Sequence, residues 1–250
     1  MIHRFFFAYA LYPLLEKLMG RDISSKVRVL EQHVALPFQD RKAVSARKLC
    51  AILEHAGEHV PYYRELFASL DFDPQKVKKD PDYVQRLPFL TRDIVRREGT
   101  RLLSARKDDA PLHTRKTGGS TGPSAIIHYS QEALDWTAAV HQLVVGWTGK
   151  RRYCKEAHLS TRFPKKDPLK SRLKEIMKCC ALNRVNVLTD ALDDPDLEQL
   201  WQRIMKERPY LMQGHPSTLY ALARHVAAHG YTNGKAFEVF ESTGEALDAR

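Results

Sequence analysis

The sequence predicts an α/β protein: a mainly helical N-terminal region, residues 1–110, followed by part of a larger domain, residues 111–250, with a mainly parallel sheet. Two observations predict this class. In the second half, short runs typical of strands alternate with segments whose apolar residues recur at helical spacing. In the first hundred residues the helical spacing recurs without that alternation. We expect the two regions to form one continuous structural domain.

Composition supports a globular chain. Of the 250 residues 43% are hydrophobic, and the formal charge is +10. That is too apolar for a disordered chain, and glycine and proline without a triplet period exclude a collagen-like class. The four cysteines form no CxxC and have no histidine at zinc-finger spacing. We therefore expect reduced thiols, no metal ligands and a cytoplasmic location. The cysteines are Cys50, Cys154, Cys179 and Cys180.

The N-terminus carries an apolar run, residues 5–15, that is too short to span a bilayer. The residues after it offer no small-residue cleavage site for a signal peptase. Two interpretations stay open. Residues 2–18 form a hydrophobic helix that packs on the rest of the protein, or an interfacial helix that holds the protein on the inner membrane face.

In the first region the helical pattern is clearest over residues 41–59, where Val44, Lys48, Leu49, Ile52 and Leu53 are predicted to share one face. Pro61 suits the first turn of the next helix, where a missing N–H costs little. Residues 87–90 are predicted to be extended, because Leu87 precedes a proline. Thr91 is predicted to cap the helix that follows.

The second region begins with a polar, glycine-rich loop, residues 113–123, and a strand over residues 125–129. Ser130 is predicted to cap a helix whose apolar stripe packs in the core. Further strands are predicted at residues 184–188, 210–212 and 237–241, with helices opening near Asp194 and Pro216 between them. The stripe consists of Trp136, Val140, Leu143, Val144 and Trp147.

Residues 150–178 are strongly basic, with eleven Lys or Arg against three acidic residues. The simplest interpretation is a solvated charged loop, and the alternatives are a surface for anionic lipid or for a phosphate-rich ligand such as CoA. Only Tyr153 and Phe163 are aromatic there, which argues against base stacking. We therefore expect no nucleic-acid partner.

The glycine-rich loop is the most informative stretch. Its three glycines let the backbone approach a ligand closely, and successive N–H groups can converge on phosphate oxygens. Arg115 and Lys116 add positive charge. The loop is neither a Walker A motif nor a dinucleotide fingerprint, because Pro123 follows Gly122 and the GxGxxG spacing is missing. By composition alone it is also compatible with a plain flexible turn. The loop residues are Thr117, Gly118, Gly119, Ser120, Thr121 and Gly122.

This loop resembles the phosphate-binding signature of the adenylate-forming (AMP-binding) enzymes. Other blocks in the same order resemble the phenylacetate–CoA ligase group and its capsular polysaccharide biosynthesis branch. Those blocks are residues 60–67, 87–91, 146–147, 214–223 and 242–245.

The resemblance implies a ligase that activates a carboxylic acid with ATP and Mg²⁺ to an acyl-AMP, then transfers the acyl group to CoA or another acceptor. It implies that residues 117–122 hold the β- and γ-phosphates and that Gly244 and Glu245 line the adenine pocket. Gly214, His215 and Ser217 would border the acyl or nucleotide pocket. The alternative is that this segment only ends a strand and begins a helix.

The sequence departs from the family pattern in several places. His215 stands where the family commonly has Tyr, and Pro123 stands one residue early. The resemblance covers only the N-terminal part of a family member. We therefore expect a missing C-terminal half, or self-association, to complete the fold.

Two further function classes stay open: a nucleotide- or partner-binding fragment without turnover, and a basic membrane-surface protein. The catalytic residues are unknown, because the histidines at 113, 128, 141, 158 and 215 are scattered. A lone histidine is more often structural than catalytic, and adenylation needs little acid–base help.

Overall fold

The computed structural model describes residues 7–106, 113–116, 126–160, 169–188, 192–231 and 234–244. The chain divides into two compact units. The first unit is residues 21–143, and the second unit combines residues 1–20 with residues 144–250. Each unit is described below by itself.

The helices of the described residues are α1 (Tyr12–Leu18), α2 (Ile23–Ala35), α3 (Phe38–His59), α4 (Pro61–Ser69), α5 (Arg92–Glu98), α6 (Gln131–Gly146), α7 (Leu169–Leu182), α8 (Asp194–Glu207) and α9 (Pro216–Ala228). The strands are β1 (His113–Lys116), β2 (Ile126–Tyr129), β3 (Glu156–Ser160), β4 (Arg184–Leu188), β5 (Leu211–Gly214) and β6 (Val239–Ser242). A π-helical turn covers Phe7–Leu11, and 3₁₀ turns cover Pro74–Lys78, Pro81–Arg86 and Gly99–Leu102.

The first unit has an aromatic core between α3, α4 and the two proline-led 3₁₀ turns. Phe67 and Phe72 lie with ring centroids 4.9 Å apart, and Phe72 stacks on Tyr83 at the same distance. The buried face of α3 is set by Ala46, Cys50 and Leu53, while Ile52 is 59% exposed. Of the predicted face, Leu53 is therefore buried and Ile52 is not, because the packing partners cover the side of the helix that also carries Ala46 and Cys50.

β1 and β2 form an antiparallel hairpin in which His113 pairs with Tyr129 and Lys116 with Ile126. Residues 113–116 of the predicted polar loop are therefore a strand, because they pair with β2. The rest of that predicted loop, residues 117–123, lies outside the described residues. The Arg115 guanidinium lies 5.7 Å from the centre of the Tyr129 ring.

α6 begins as predicted, with the Ser130 hydroxyl accepting the N–H of Ala133 at 3.1 Å. Its predicted core stripe is wrong in part: Val140, Val144 and Trp147 are exposed, whereas Trp136 and Leu143 are half-buried. The buried side of α6 instead holds Asp135 and Ala139.

Asp135 joins α6 to the start of α2. Its carboxylate pairs with the Arg21 guanidinium, accepts the backbone N–H of Asp22 at 2.8 Å and accepts the Gln131 amide at 2.9 Å. Burial acts to raise the pKa of Asp135, but these three donors outweigh it and hold the pKa below its usual value.

The second unit is built on a parallel sheet in the order β4-β3-β5-β6. Its apolar face packs on α8 and α9, and its other face meets α7 through β4. This arrangement confirms the predicted α/β class. The core residues of the apolar face are Ala157, Val187, Leu197, Leu200, Ile204, Met212 and Leu222.

Two described parts of the basic stretch are regular structure and not the solvated loop that its charge suggests. Residues 156–160 form the central strand β3, and Leu169–Leu182 forms the helix α7. The sequence did not indicate β3, because Ala157 and Leu159 are its only apolar residues and the residues around it are strongly charged. Hydrogen bonding to two parallel neighbours then decides the conformation.

At the N-terminus, the π-helical turn Phe7–Leu11 contacts α7, and the Arg152 guanidinium lies 5.1 Å from the Tyr12 ring centre. Leu14 and Leu18 of α1 are exposed. Both interpretations of residues 2–18 remain predictions. The contact with α7 suits a helix packed on the protein, and the exposed leucines suit an interfacial helix. Among the described residues, none of the helices has the length and hydropathy that a bilayer crossing requires.

None of the four cysteines, all of which lie in the described part of the chain, forms a disulfide in the structure. Cys50 is buried, whereas Cys180 is exposed.

We predict that Asp135→Asn lowers the free energy of unfolding by about 1–3 kcal/mol, the range for a hydrogen bond to a charged group. The reason is that Arg21 loses the charge it pairs with. Urea denaturation followed by circular dichroism measures the change. Asp93→Asn is the control, because Asp93 pairs with Arg96 on an exposed surface, where an ion pair contributes at most about 1 kcal/mol. Equal losses in the two variants would contradict the anchoring role of Asp135.

Candidate functional site at the carboxyl edge of the sheet

The carboxyl ends of β5 and β6 lie side by side, with Gly214 paired to Ser242. The chain then leaves β5 through His215 into α9, and leaves β6 through Thr243 and Gly244. The Thr243 N–H donates to the Gly214 carbonyl at 3.0 Å, which extends the pairing past the strand ends. Crevices at the carboxyl ends of parallel strands are where open α/β sheets bind ligands.

Gly244 lies against the imidazole of His215. Its φ is +81°, and a Cβ built on it would overlap Cε1 of His215 and lie 2.7 Å from Nδ1. Both the backbone conformation and the close approach therefore require glycine at this position. The contact joins two segments that are separated by 29 residues in the chain.

Gly214 is also constrained. It is buried, and a Cβ there would lie 3.0 Å from Cβ of Leu159 on β3. The absence of a side chain allows β3 to pack closely beside the end of β5. Gly214 thus has a structural reason to be glycine, independent of any ligand.

The structure brings together three of the residues predicted from the sequence: Gly214, His215 and Gly244. Ser217 is exposed in the first turn of α9, directly after Pro216. Residues Thr117, Gly118, Gly119, Ser120, Thr121, Gly122 and Glu245 lie outside the described residues, so their predicted roles stay predictions.

A row of polar residues crosses the sheet on the face opposite the apolar core. Asn186, His158, Gln213 and Glu241 stand in register on four adjacent strands. The Asn186 amide donates to Glu175 of α7 at 3.3 Å. Burial lowers the pKa of His158 below its usual value, so the ring is neutral at pH 7. The row places neutral and acidic hydrogen-bonding groups along one side of the sheet, where α7 meets part of it.

Glu156, at the start of β3, is the centre of a buried charge cluster. Its carboxylate meets Lys150 at 2.7 Å, Arg184 at 3.0 Å and the His158 ring at 3.2 Å. Burial acts to raise the pKa of Glu156, but His158, Lys150 and Arg184 outweigh it and hold that pKa well below its usual range. The cluster fixes the start of β3 and, two residues later, the orientation of His158.

Sequence reasoning missed Glu156, Asn186, Gln213 and Glu241, and it treated His158 as one of several scattered histidines. A signal existed in the alternation of polar and apolar residues over residues 156–160. The surrounding lysines and arginines obscured it, and the pairing of four distant segments cannot be derived from spacing.

We predict that Gly244→Ala destabilises the protein more than Gly234→Ala does, by about 1–3 kcal/mol, the usual cost of overpacking. Both glycines have a positive φ, +81° and +82°, so both variants carry the backbone strain. No atom lies within 4 Å of a Cβ built on Gly234, so only Gly244→Ala meets the His215 ring.

Urea denaturation of both variants measures this difference. A double variant, His215→Ala with Gly244→Ala, should regain the part of the loss that comes from the ring. Equal stability of the two single variants would show that His215 and Gly244 do not make this contact.

We also predict that Glu156→Gln makes the free energy of unfolding depend less on pH in the acid range. A depressed folded-state pKa stabilises the protein above the unfolded value of about 4.3, and this contribution is lost as the pH falls through the folded pKa. Urea midpoints of the wild type should therefore fall more steeply below about pH 4.3 than those of Glu156→Gln. The variant should also be less stable at neutral pH, because Lys150 and Arg184 lose their partner. Glu238→Gln, on an exposed pair with Lys235, is the control and should keep the slope of the wild type.

Comparison with known proteins finds similarity at the level of structure. No family model matches the sequence, and no curated protein sequence matches it. Among solved structures, an open conformation of 2-hydroxyisobutyryl-CoA ligase in complex with 2-HIB-AMP and CoA aligns with a TM-score of 0.63 and 17% identity, over 84% of this chain and 49% of that chain. The same ligase in the postadenylation state with R3-HIB-AMP aligns with a TM-score of 0.61 and 15% identity, over 82% and 44% of the two chains.

These neighbours are acyl-CoA ligases of the adenylate-forming superfamily. The chain spans about half of their length. At this identity the likeness concerns the fold alone: the fold of the chain matches that of part of these ligases.

Proposed function

We propose that this chain is part of an adenylate-forming ligase of the phenylacetate–CoA ligase and capsular polysaccharide biosynthesis group. Such an enzyme activates a carboxylic acid with ATP and passes the acyl group to CoA or another acceptor. The observation that carries the proposal is the contact of His215 with Gly244 at the carboxyl edge of β5 and β6. It joins the two described segments that resemble pocket segments of that group.

In the proposed reaction a carboxylate oxygen attacks the α-phosphorus of ATP, pyrophosphate leaves, and an acyl-AMP forms. The acceptor thiol, after losing its proton, then attacks the acyl carbon and AMP leaves. The first step needs the triphosphate to be held straight with its charge neutralised, for which residues 117–122 and an accompanying Mg²⁺ are proposed. Gly244 and Glu245 are proposed to lie against the adenine.

The described geometry suits this assignment. Gly244 is exposed and presents backbone without a side chain, a flat surface on which a planar base can lie. The first turn of α9, residues 216–218, begins beside it. Pro216 has no N–H and the Thr218 N–H donates to the His215 carbonyl at 3.1 Å, so what this turn offers an anionic group, either a phosphate or the carboxylate of the acid, is the positive end of the helix dipole.

The neighbours support the proposal through the ligands in their complexes. Both structures hold an acyl-AMP, and the open conformation also holds CoA. Because this chain spans about half of their length, the complete reaction is a proposal for the protein as a whole. Nucleotide binding is the step that the chain itself can test.

We predict that Gly119→Asp weakens binding of Mg-ATP about tenfold or more, because a carboxylate in the loop repels the phosphates. Isothermal titration calorimetry with the full chain measures the affinity. Gly146→Asp is the matched control: it adds the same charge at an exposed glycine where a Cβ meets no atom within 4 Å. The control should bind like the wild type, and unchanged affinity in Gly119→Asp would remove the loop from the site.

Pyrophosphate exchange driven by a panel of carboxylic acids separates the two remaining functions. Exchange that depends on one acid supports the ligase and identifies its substrate class. Saturable nucleotide binding without exchange, in a correctly folded chain, supports the alternative of a nucleotide-binding module without turnover.

A further inference from the structure

A cluster of histidines and acids lies at the far end of α9 from the proposed nucleotide site. His225 and His229 stand four residues apart, so α9 and its C-terminal cap place them on one side. Asp194 and Glu198 stand at the same spacing in the first turns of α8, which packs against α9. About ten residues of helix, or roughly 15 Å, separate His225 from His215.

His225 is the centre of the cluster. Its side chain is 2% exposed. Its Nδ1 lies 2.9 Å from an oxygen of Asp194, and its Nε2 lies 3.0 Å from an oxygen of Glu198. A buried imidazole with a carboxylate on each ring nitrogen has both its position and its rotation fixed.

His229 is oriented by the backbone. Its Nδ1 lies 3.0 Å from the carbonyl oxygen of His225, and a carbonyl can only accept, so Nδ1 carries the proton. The lone pair of the neutral ring is therefore on Nε2. The His229 ring lies 4.2 Å from the His225 ring, centre to centre, and stacks on Tyr231.

The potential ligand atoms of Asp194, His225 and His229 all lie within 4.8 Å of one another. Atoms bound to one tetrahedral Zn²⁺ at about 2.0–2.2 Å lie about 3.3 Å apart. The present separation of 2.9 Å between Asp194 and His225 therefore has to open by only a few tenths of an ångström. Asp194 is 75% exposed, so an ion can reach the cluster from solvent.

The surroundings resemble the outer shell of a metal site. Metal-binding histidines usually donate the second ring N–H to a carboxylate or a backbone carbonyl. Glu198 serves His225 in this way, and the His225 carbonyl serves His229. Glu198 is itself held by the Tyr231 hydroxyl at 2.9 Å and the Gln202 amide at 2.7 Å.

We propose that Asp194, His225 and His229 form a binding site for a divalent transition-metal ion of the Zn²⁺ class. Two imidazoles and one carboxylate favour Zn²⁺ over Mg²⁺ or Ca²⁺, which prefer all-oxygen sites. The ion replaces the proton between His225 Nδ1 and Asp194, and that proton is released to solvent. By joining the start of α8 to the end of α9 it holds both helices on the apolar face of the sheet. The site does not depend on the proposed ligase function.

The test is competition for Zn²⁺ between the full chain and a chromophoric chelator. We expect one Zn²⁺ per chain, with an affinity that falls at least about tenfold in His229→Ala and in Asp194→Asn. Glu198→Gln should cost about tenfold, the usual effect of an outer-shell substitution. His229 and Asp194 are exposed, so these variants should fold. Co²⁺ bound in place of Zn²⁺ should give the visible absorption bands of a tetrahedral site.

His59→Ala is the matched control and should leave the affinity unchanged. His55 and His59 have the same spacing, near the end of α3, with ring centroids 4.9 Å apart. Within the described part of the chain they do not belong to a group of three potential ligands. A Cys179→Ser, Cys180→Ser variant controls for adventitious binding to the thiols.

Two outcomes would overturn the proposal. One is the absence of stoichiometric Zn²⁺ binding by the folded wild type, which would make the cluster a metal-free ion pair. The other is binding that His229→Ala and Asp194→Asn leave unchanged, which would place the ion elsewhere.

Discussion

The central strand β3 is the element on which the second unit depends. It is hydrogen-bonded on both sides, to β4 and to β5, and it has a helix layer on each face of its sheet. A parallel strand in this position requires helical crossovers, which is why α7, α8 and α9 lie where they do. Because all four strands run in one direction, the segments that follow β5 and β6 meet at one edge.

β3 buries charged side chains as well as apolar ones. One face contributes Ala157 to the apolar core, and the other carries Glu156 and His158 among the charged and polar residues of neighbouring strands. Buried charges cost stability unless they are paired, and Glu156 is paired with two cations and a neutral imidazole. The polar face can be buried because its partners come from β4, from α7 and from the turn before β3.

Elsewhere in the chain, too, charged side chains decide how a helix packs. Asp135 fixes α6 to the start of α2, although the apolar stripe of α6 suggested that its aliphatic and aromatic residues would be buried. His225 holds α8 to α9 through two carboxylates. In these places long-range polar contacts, rather than apolar periodicity, decide which side of a helix is covered.

The sequence by itself determined the α/β class, the helices led by Pro61, Thr91, Ser130 and Pro216, and the strands β4, β5 and β6, because these depend on local signals: caps, prolines and short apolar runs. Through resemblance, Gly214, His215 and Gly244 were also expected in pocket segments, but the contact between His215 and Gly244 was not predicted. Tertiary structure alone decided the strand β3, the exposed stripe of α6, the polar row on the sheet and the cluster around His225. Each of these is assembled from segments far apart in the chain, and spacing along a sequence carries no information about which distant segments pair.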